Sequence, residues 1–149
     1  MAHSHCRLAV HLIFSTKHRR PLITNEIRGE LHAYLIGILR RLESPSIRTN
    51  TADDHAHILF LLSKKLALDY VIEEVKRSSS RWMKTKGLPF ADFYWQIGYA
   101  AFSVGQDGID QVIAYIDRQQ EHHRQVSFEE EIRVLFQQYG QQLDEHFFD

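Results

Sequence analysis

Two features of this chain of 149 residues combine residue types and spacing that suit chemistry. The first is His55-Ala56-His57, placed where a strand is expected to begin. Side chains two apart on a strand point to the same side, so the two imidazoles can converge on one metal ion. The second is Tyr115 with Gln119 four residues later, on one face of an expected helix. His122 falls near Tyr115 on the same helical wheel, with His123 further round. A phenol that attacks phosphorus needs a nearby cation to activate the phosphate, and the histidine pair would supply it. Each feature also has a plainer reading. His3-Ser4-His5 repeats the histidine spacing in what reads as an ordinary N-terminal segment, and Tyr115 borders the apolar stripe Ile109, Val112, Ile113 and Ile116, where a tyrosine can simply edge the core.

Basic residues form a third group. Lys76, Arg77, Ser80, Arg81 and Lys84 share one arc of an expected helix, with Trp82 close by. Cations and hydroxyls of this kind suit phosphate contacts, and an aromatic ring can stack on an unpaired base. Lys17, Arg19 and Arg20 lie in a basic loop ended by Pro21. A solvated helix face is the alternative for the first set.

The elements that must hold these residues follow from periodicity. Cys6 to Ser15 is apolar on both faces, as a central strand would be. Helical spacing runs from Asn25 to Glu43 behind a candidate Thr24 cap, and Pro45 stops it. Ser46 to Ala52 and Asp54 to Leu62 read as strands joined tightly, with Ala56, Ile58 and Phe60 facing away from the histidines toward the first two helices. A second helix is expected over Ala67 to Lys86. Tyr94 to Val104 reads as an aromatic strand with few charges for an exposed edge, and Gly98 suggests a bulge or a close backbone approach within it. Asp107 can cap a third helix running to about His123, and Ser127 with Glu130 forms a capping box for a fourth that ends at Gly140. This order predicts a ferredoxin-like α+β split βαβ sandwich with an antiparallel sheet and added C-terminal helices, in one domain spanning 1–149.

Composition is that of a globular protein: 44% hydrophobic and 25% charged residues exclude disorder and coiled coil. No apolar run approaches the roughly 20 residues of a membrane helix, so no membrane partner is expected. With Cys6 as the single cysteine and no signal-peptide pattern over residues 1–20, a cytoplasmic location is expected. The net charge of −1 hides an asymmetry. Residues 1–86 carry 15 Lys and Arg against 8 Asp and Glu, and residues 87–149 carry 3 against 11. A basic face set against an acidic C-terminal segment is the reading this suggests.

These pieces together resemble the small single-tyrosine HUH transposases of bacterial insertion sequences, the insertion-sequence-200-like group and its REP-associated relatives. HUH stands for histidine, hydrophobic residue, histidine. The matching segments are His11 to Lys17, Asp54 to Leu59, Lys76 to Trp82, Trp95 to Tyr99 with Phe102-Ser103-Val104, and Tyr115 to Gln119, in the family's order. The resemblance implies a bacterial cytoplasmic homodimer whose sheets join. His55, His57 and Gln119 would hold Mg²⁺ or Mn²⁺, although imidazole chemistry alone also admits Zn²⁺. Tyr115 would be the nucleophile that cleaves and rejoins single-stranded, hairpin-bearing DNA through a 5′-phosphotyrosine link. Ala56 is smaller than the family often places between the histidines, and the near-neutral charge is a further departure. A non-catalytic nucleic-acid-binding protein on the same scaffold, and a metal-dependent hydrolase with a structural Tyr115, are the alternatives.

Overall fold

A computed structural model describes residues 3–123 and 125–149. Four strands, β1 (Ala9–Ser15), β2 (Ser46–Thr51), β3 (His55–Leu61) and β4 (Ala100–Val104), form one sheet in the order β2-β3-β1-β4. All three pairings are antiparallel. The crossovers are α1 (Asn25–Arg41) and α2 (Leu68–Met83), and α3 (Ile109–Asp117), α4 (Gln119–His122) and α5 (Phe128–Gln138) follow the sheet. This is the split βαβ arrangement of a ferredoxin-like α+β fold, with both faces of the sheet covered. Among the described residues no helix is long and apolar enough to cross a membrane.

Strand alternation sorts the sheet into two chemically different faces. Val10, Leu12 and Phe14 of β1 join Ala56, Ile58 and Phe60 of β3 on one face, under Leu31, Leu35 and Leu39 of α1 and Val71, Ile72 and Val75 of α2. The other face carries Ala9, Ile13 and Leu59 but also His11, His55 and His57, all buried. Ile109 and Ile116 of α3 and Phe128, Ile132 and Leu135 of α5 seal that face. β1 is central, which is why each of its seven residues is buried.

Three expected elements take a different form. β1 begins at Ala9, one residue past Leu8, whose carbonyl still accepts from the Leu62 amide at 2.8 Å while its side chain and Cys6 are exposed. The aromatic strand shortens to β4, on the sheet edge. Residues 94–99 still run beside the end of β1, where Trp95 bridges Thr16 and the Gln96 side-chain oxygen accepts from the Ser15 amide. The carbonyls of Ile97 and Gly98 accept from Lys76 Nζ at 2.9 and 2.8 Å, so that stretch is pinned by a side chain and leaves the ladder. The third helix breaks at Arg118 (φ −98, ψ 13). There Asn50 Nδ2 donates to the Ile116 carbonyl at 2.7 Å, taking the acceptor that the next helical turn would use, and Gln120 Nε2 donates to Asn50 Oδ1 and the Thr51 carbonyl. Thr24 holds the N-cap position of α1 without a side-chain cap bond, and Gly108 rather than Asp107 holds the N-cap position of α3. Ser127 does cap α5, accepting from the Glu130 amide.

The 94–99 stretch is anchored to α2 through Ser79. Trp95 Nε1 donates to Ser79 Oγ at 2.9 Å, and Ser79 Oγ donates to the Val75 carbonyl. Ser79→Ala leaves a buried indole N–H unpaired and should cost about 1–3 kcal/mol of stability, measured by urea unfolding.

Candidate metal and nucleophile site

His55 and His57 leave β3 on the face covered by α3 and α5, and neither is exposed to solvent. Both present Nε2 to the same point and Nδ1 away from it. His55 Nδ1–H donates to Asp54 Oδ1 at 2.7 Å, and its Nε2 lies 3.1 Å from Gln119 Oε1. His57 Nδ1 lies 2.8 Å from His11 Nε2. Gln119 is fully buried. The break at Arg118 does not turn it away, and its Nε2 donates to the Tyr115 carbonyl at 3.5 Å. Three of the expected site residues, His55, His57 and Gln119, therefore meet, and Tyr115 joins them with its ring 5.6 Å from that of His57 and 5.8 Å from that of His122.

A residue the sequence reading did not single out sits at the centre. Glu131 of α5 is 2% exposed, and its Oε1 lies 2.9 Å from His57 Nε2 and 3.4 Å from His55 Nε2. Its Oε2 lies 3.2 Å from His122 Nε2 and 3.5 Å from His123 Nε2, yet no well-directed hydrogen bond reaches it among the described residues. The signal was present in the sequence. Glu131 falls between Phe128 and Leu135 on the inward stripe of an amphipathic helix, where an acid has no apolar reason to be.

Mutual electrostatics set the charges. Burial opposes the Glu131 carboxylate, but His57, His123 and His55 overcome it and hold its pKa far below the usual carboxyl range. Burial also opposes charge on His55, but the hydrogen bonds with Asp54 and Glu131 raise it to about 9. For His57 burial wins over the pull of Glu131 and lowers it to about 4. Burial, with His57 alongside, lowers His11 to about 3. Tyr115 is pushed well above an ordinary phenol, first by burial and then by the Glu131 charge.

The donor set fits a divalent ion: His55, His57 and Glu131 form a buried group able to hold one. Their ligand atoms, with Gln119 Oε1, are spaced 2.9 to 3.4 Å apart along the contacts given above. Bonds of roughly 2.1 Å to a common centre would space neighbouring ligands about 3.0 to 3.4 Å apart.

The expected DNA-contact residues divide. Lys76 is engaged with the 97 and 98 carbonyls, and burial lowers it to about 8. Ser80 and Lys84 both donate to the Phe93 carbonyl, and Lys84 stands 3.8 Å over the Tyr94 ring. Arg77 pairs with Glu73 and Glu74 on the surface, and Arg81 is exposed. In the basic loop Arg19 donates to the Phe148 carbonyl, Arg20 pairs with Asp92, and Lys17 is exposed near Tyr94. His18 and Arg19 hold positive φ, 59° and 56°.

A ferredoxin-like sheet whose polar face buries three histidines against a helix-borne carboxylate and tyrosine defines an α+β protein with a metal-capable site. The chain belongs to the transposase family described as "Transposase IS200 like", whose model matches residues 4–119. That stretch ends at Gln119, before α5 and Glu131. Two solved structures share the fold. One is a candidate transposase of Deinococcus radiodurans R1, 21% identical, with a TM-score of 0.64 over 80% of this chain and 96% of that one. The other is a REP-associated tyrosine transposase bound to a REP hairpin, 15% identical, with a TM-score of 0.61 over 85% of this chain and 76% of that one. No curated protein matches the chain.

The charge pattern has a consequence for the metal-free protein. His55 binds its proton more tightly folded than unfolded, where a histidine titrates near 6.5, so the stability it adds is complete below that value and is lost as pH rises toward about 9. His57 and His11 behave oppositely, because the unfolded chain takes up protons that the folded one refuses as pH falls below about 6.5. Stability in chelator should therefore peak near pH 6 to 7 and decline on both sides. Thermal melts from pH 4 to 9 would show it, and Asp54→Asn should flatten the alkaline limb.

Proposed function

We propose that this protein cleaves and rejoins single-stranded DNA with Tyr115 as nucleophile, aided by Mg²⁺ or Mn²⁺ held by His55, His57, Gln119 and Glu131. The observation that carries this reading is the placement of Tyr115 and Gln119, on consecutive helical segments, against the His55–His57–Glu131 cluster. The bound ion would withdraw charge from the scissile phosphate and offset the Glu131 carboxylate beside the phenol.

The remaining work falls to the chain's own residues. Tyr115 Oη forms a bond to phosphorus as the bond from phosphorus to the 3′-oxygen breaks. The phenol gives up its proton, the departing 3′-oxygen takes one up, and the 5′-phosphate stays on Tyr115. Phosphodiester energy is kept in that link, so the reverse attack by a 3′-hydroxyl rejoins a strand without a nucleotide cofactor. Burial keeps Tyr115 neutral at rest, which limits attack to the assembled complex. Asp54 orients His55 through Nδ1.

The substrate we propose is DNA bearing a hairpin. Support comes from the REP-associated neighbour, solved on a REP hairpin, and from exposed cations in this chain. Arg77 and Arg81 on α2, with Lys17, Arg19 and Arg20, would contact phosphates, and Lys76, Ser80 and Lys84 would act chiefly by fixing the 93–98 stretch beside them. A homodimer joined through the exposed edge of β4 is part of the same proposal.

Tyr115→Phe tests the chemistry. With labelled hairpin-bearing single strands and Mn²⁺, the wild type should yield a covalent adduct on denaturing electrophoresis. Tyr115→Phe should bind DNA and metal as before and yield none. An adduct that persists in the variant would move the nucleophile elsewhere, and a wild type that binds hairpins without any adduct would make the protein a non-catalytic binder. For the DNA surface, Arg77→Ala with Arg81→Ala should weaken binding and flatten the slope of log affinity against log salt by about 0.7 per lost phosphate contact.

A further inference from the structure

The polar face holds one more buried histidine than the proposed chemistry uses. We infer that His11 is a positioning residue for the metal site, accepting the Nδ1 proton of His57 so that the Nε2 lone pair of His57 faces the ion. This rests on the metal-binding reading given above.

A neutral imidazole has one lone pair and one N–H, so a histidine that binds a cation through Nε2 carries its proton on Nδ1. That proton needs an acceptor, since ligating histidines almost always donate from the other ring nitrogen. His55 meets the requirement with Asp54 at 2.7 Å. For His57 the group in reach is His11 Nε2, at 2.8 Å. The register explains the meeting: Ile13 of β1 pairs with His57, and His11, two residues along, emerges on the same face opposite Leu59. His11 is 1% exposed, so bulk water cannot take its place.

The second nitrogen of His11 completes the argument. His11 Nδ1 is buried and has no hydrogen-bond partner among the described residues. It is therefore free to hold the His11 proton while Nε2 accepts from His57. When His57 Nε2–H instead donates to Glu131, His11 donates from Nε2 and keeps its lone pair on Nδ1. The pair thus has two complementary tautomeric arrangements with the same number of protons, and a cation at His57 Nε2 selects the first. Asp54 supports His55 with a carboxylate, whereas His11 supports His57 with a neutral ring and adds no charge to a pocket that already contains Glu131.

The competing explanation is that His11 only packs against Tyr115, its ring centroid 6.1 Å away. Mn²⁺ titration of the full chain by calorimetry separates the two. His11→Phe keeps an aromatic ring and removes the acceptor, and it should weaken Mn²⁺ binding about 10- to 100-fold. His11→Gln, whose amide reaches about as far as Nε2, should recover most of that loss. Long-range ¹H–¹⁵N spectra of the wild type, which do not depend on any variant folding, should show the His57 proton on Nδ1 when Mg²⁺ is added. Wild-type affinity in His11→Phe, a His11→Gln as weak as His11→Phe, or a His57 proton that stays on Nε2 with Mg²⁺ would each overturn the inference alone. A wild type that binds neither ion would overturn the metal reading together with it.

Discussion

A carboxylate buried among imidazoles governs the architecture of this protein. Glu131 loses nearly all contact with water, a cost of several kcal/mol for an isolated anion, and only closely placed positive or polarisable partners can offset it. Those partners come from two separate parts of the chain: His55 and His57 from β3, and His122 and His123 from the segment after α3. The docking of α5 onto the sheet is therefore specified by charge as much as by the Phe128–Ile132–Leu135 stripe. An apolar helix face tolerates sliding by a turn. A single carboxylate that must meet these nitrogens does not.

The same constraint explains the two-faced sheet. One face is apolar and is buried chiefly by packing against α1 and α2, with specific hydrogen bonds confined to its margins, such as Trp95 to Ser79 and Arg28 to Thr51 and Asp53. The other mixes Ala9, Ile13 and Leu59 with three histidines, and each of those depends on a neighbour from another element. Asn50 and Gln120 extend this logic to the edge of the sheet, where they absorb the helix break that separates Tyr115 from Gln119. Tyr115 and Gln119 thus reach the histidines from two short helical segments pinned to β2.

Much of this was legible in the sequence for a physical reason. Strand alternation and helical spacing are local, and they located the sheet, both crossover helices and the two faces of β3. The His55–His57 pair and the Tyr115–Gln119 pair were visible because each lies within one element. What was not visible depended on contacts distant in sequence. The third helix read as continuous because the side chain that interrupts it, Asn50, lies 66 residues away from Ile116. Residues 94–99 read as strand because their aromatic content is strand-like, while the Lys76 that captures their carbonyls belongs to α2. The basic stripe of α2 read as a single surface because spacing cannot reveal which cations are used internally. Glu131 alone carried a usable local sign, an acid on an apolar stripe.

The position of α5 in the chain also orders events in time. Translation delivers the strands, the histidine pair and the tyrosine before residue 131. Until α5 is present the imidazoles of β3 lack the carboxylate that organises them. The polar face lacks the cover of Phe128, Ile132 and Leu135 until α5 is in place. A chain that had emerged only as far as Gln119 would hold the histidine pair and Tyr115 without the carboxylate that α5 brings to them.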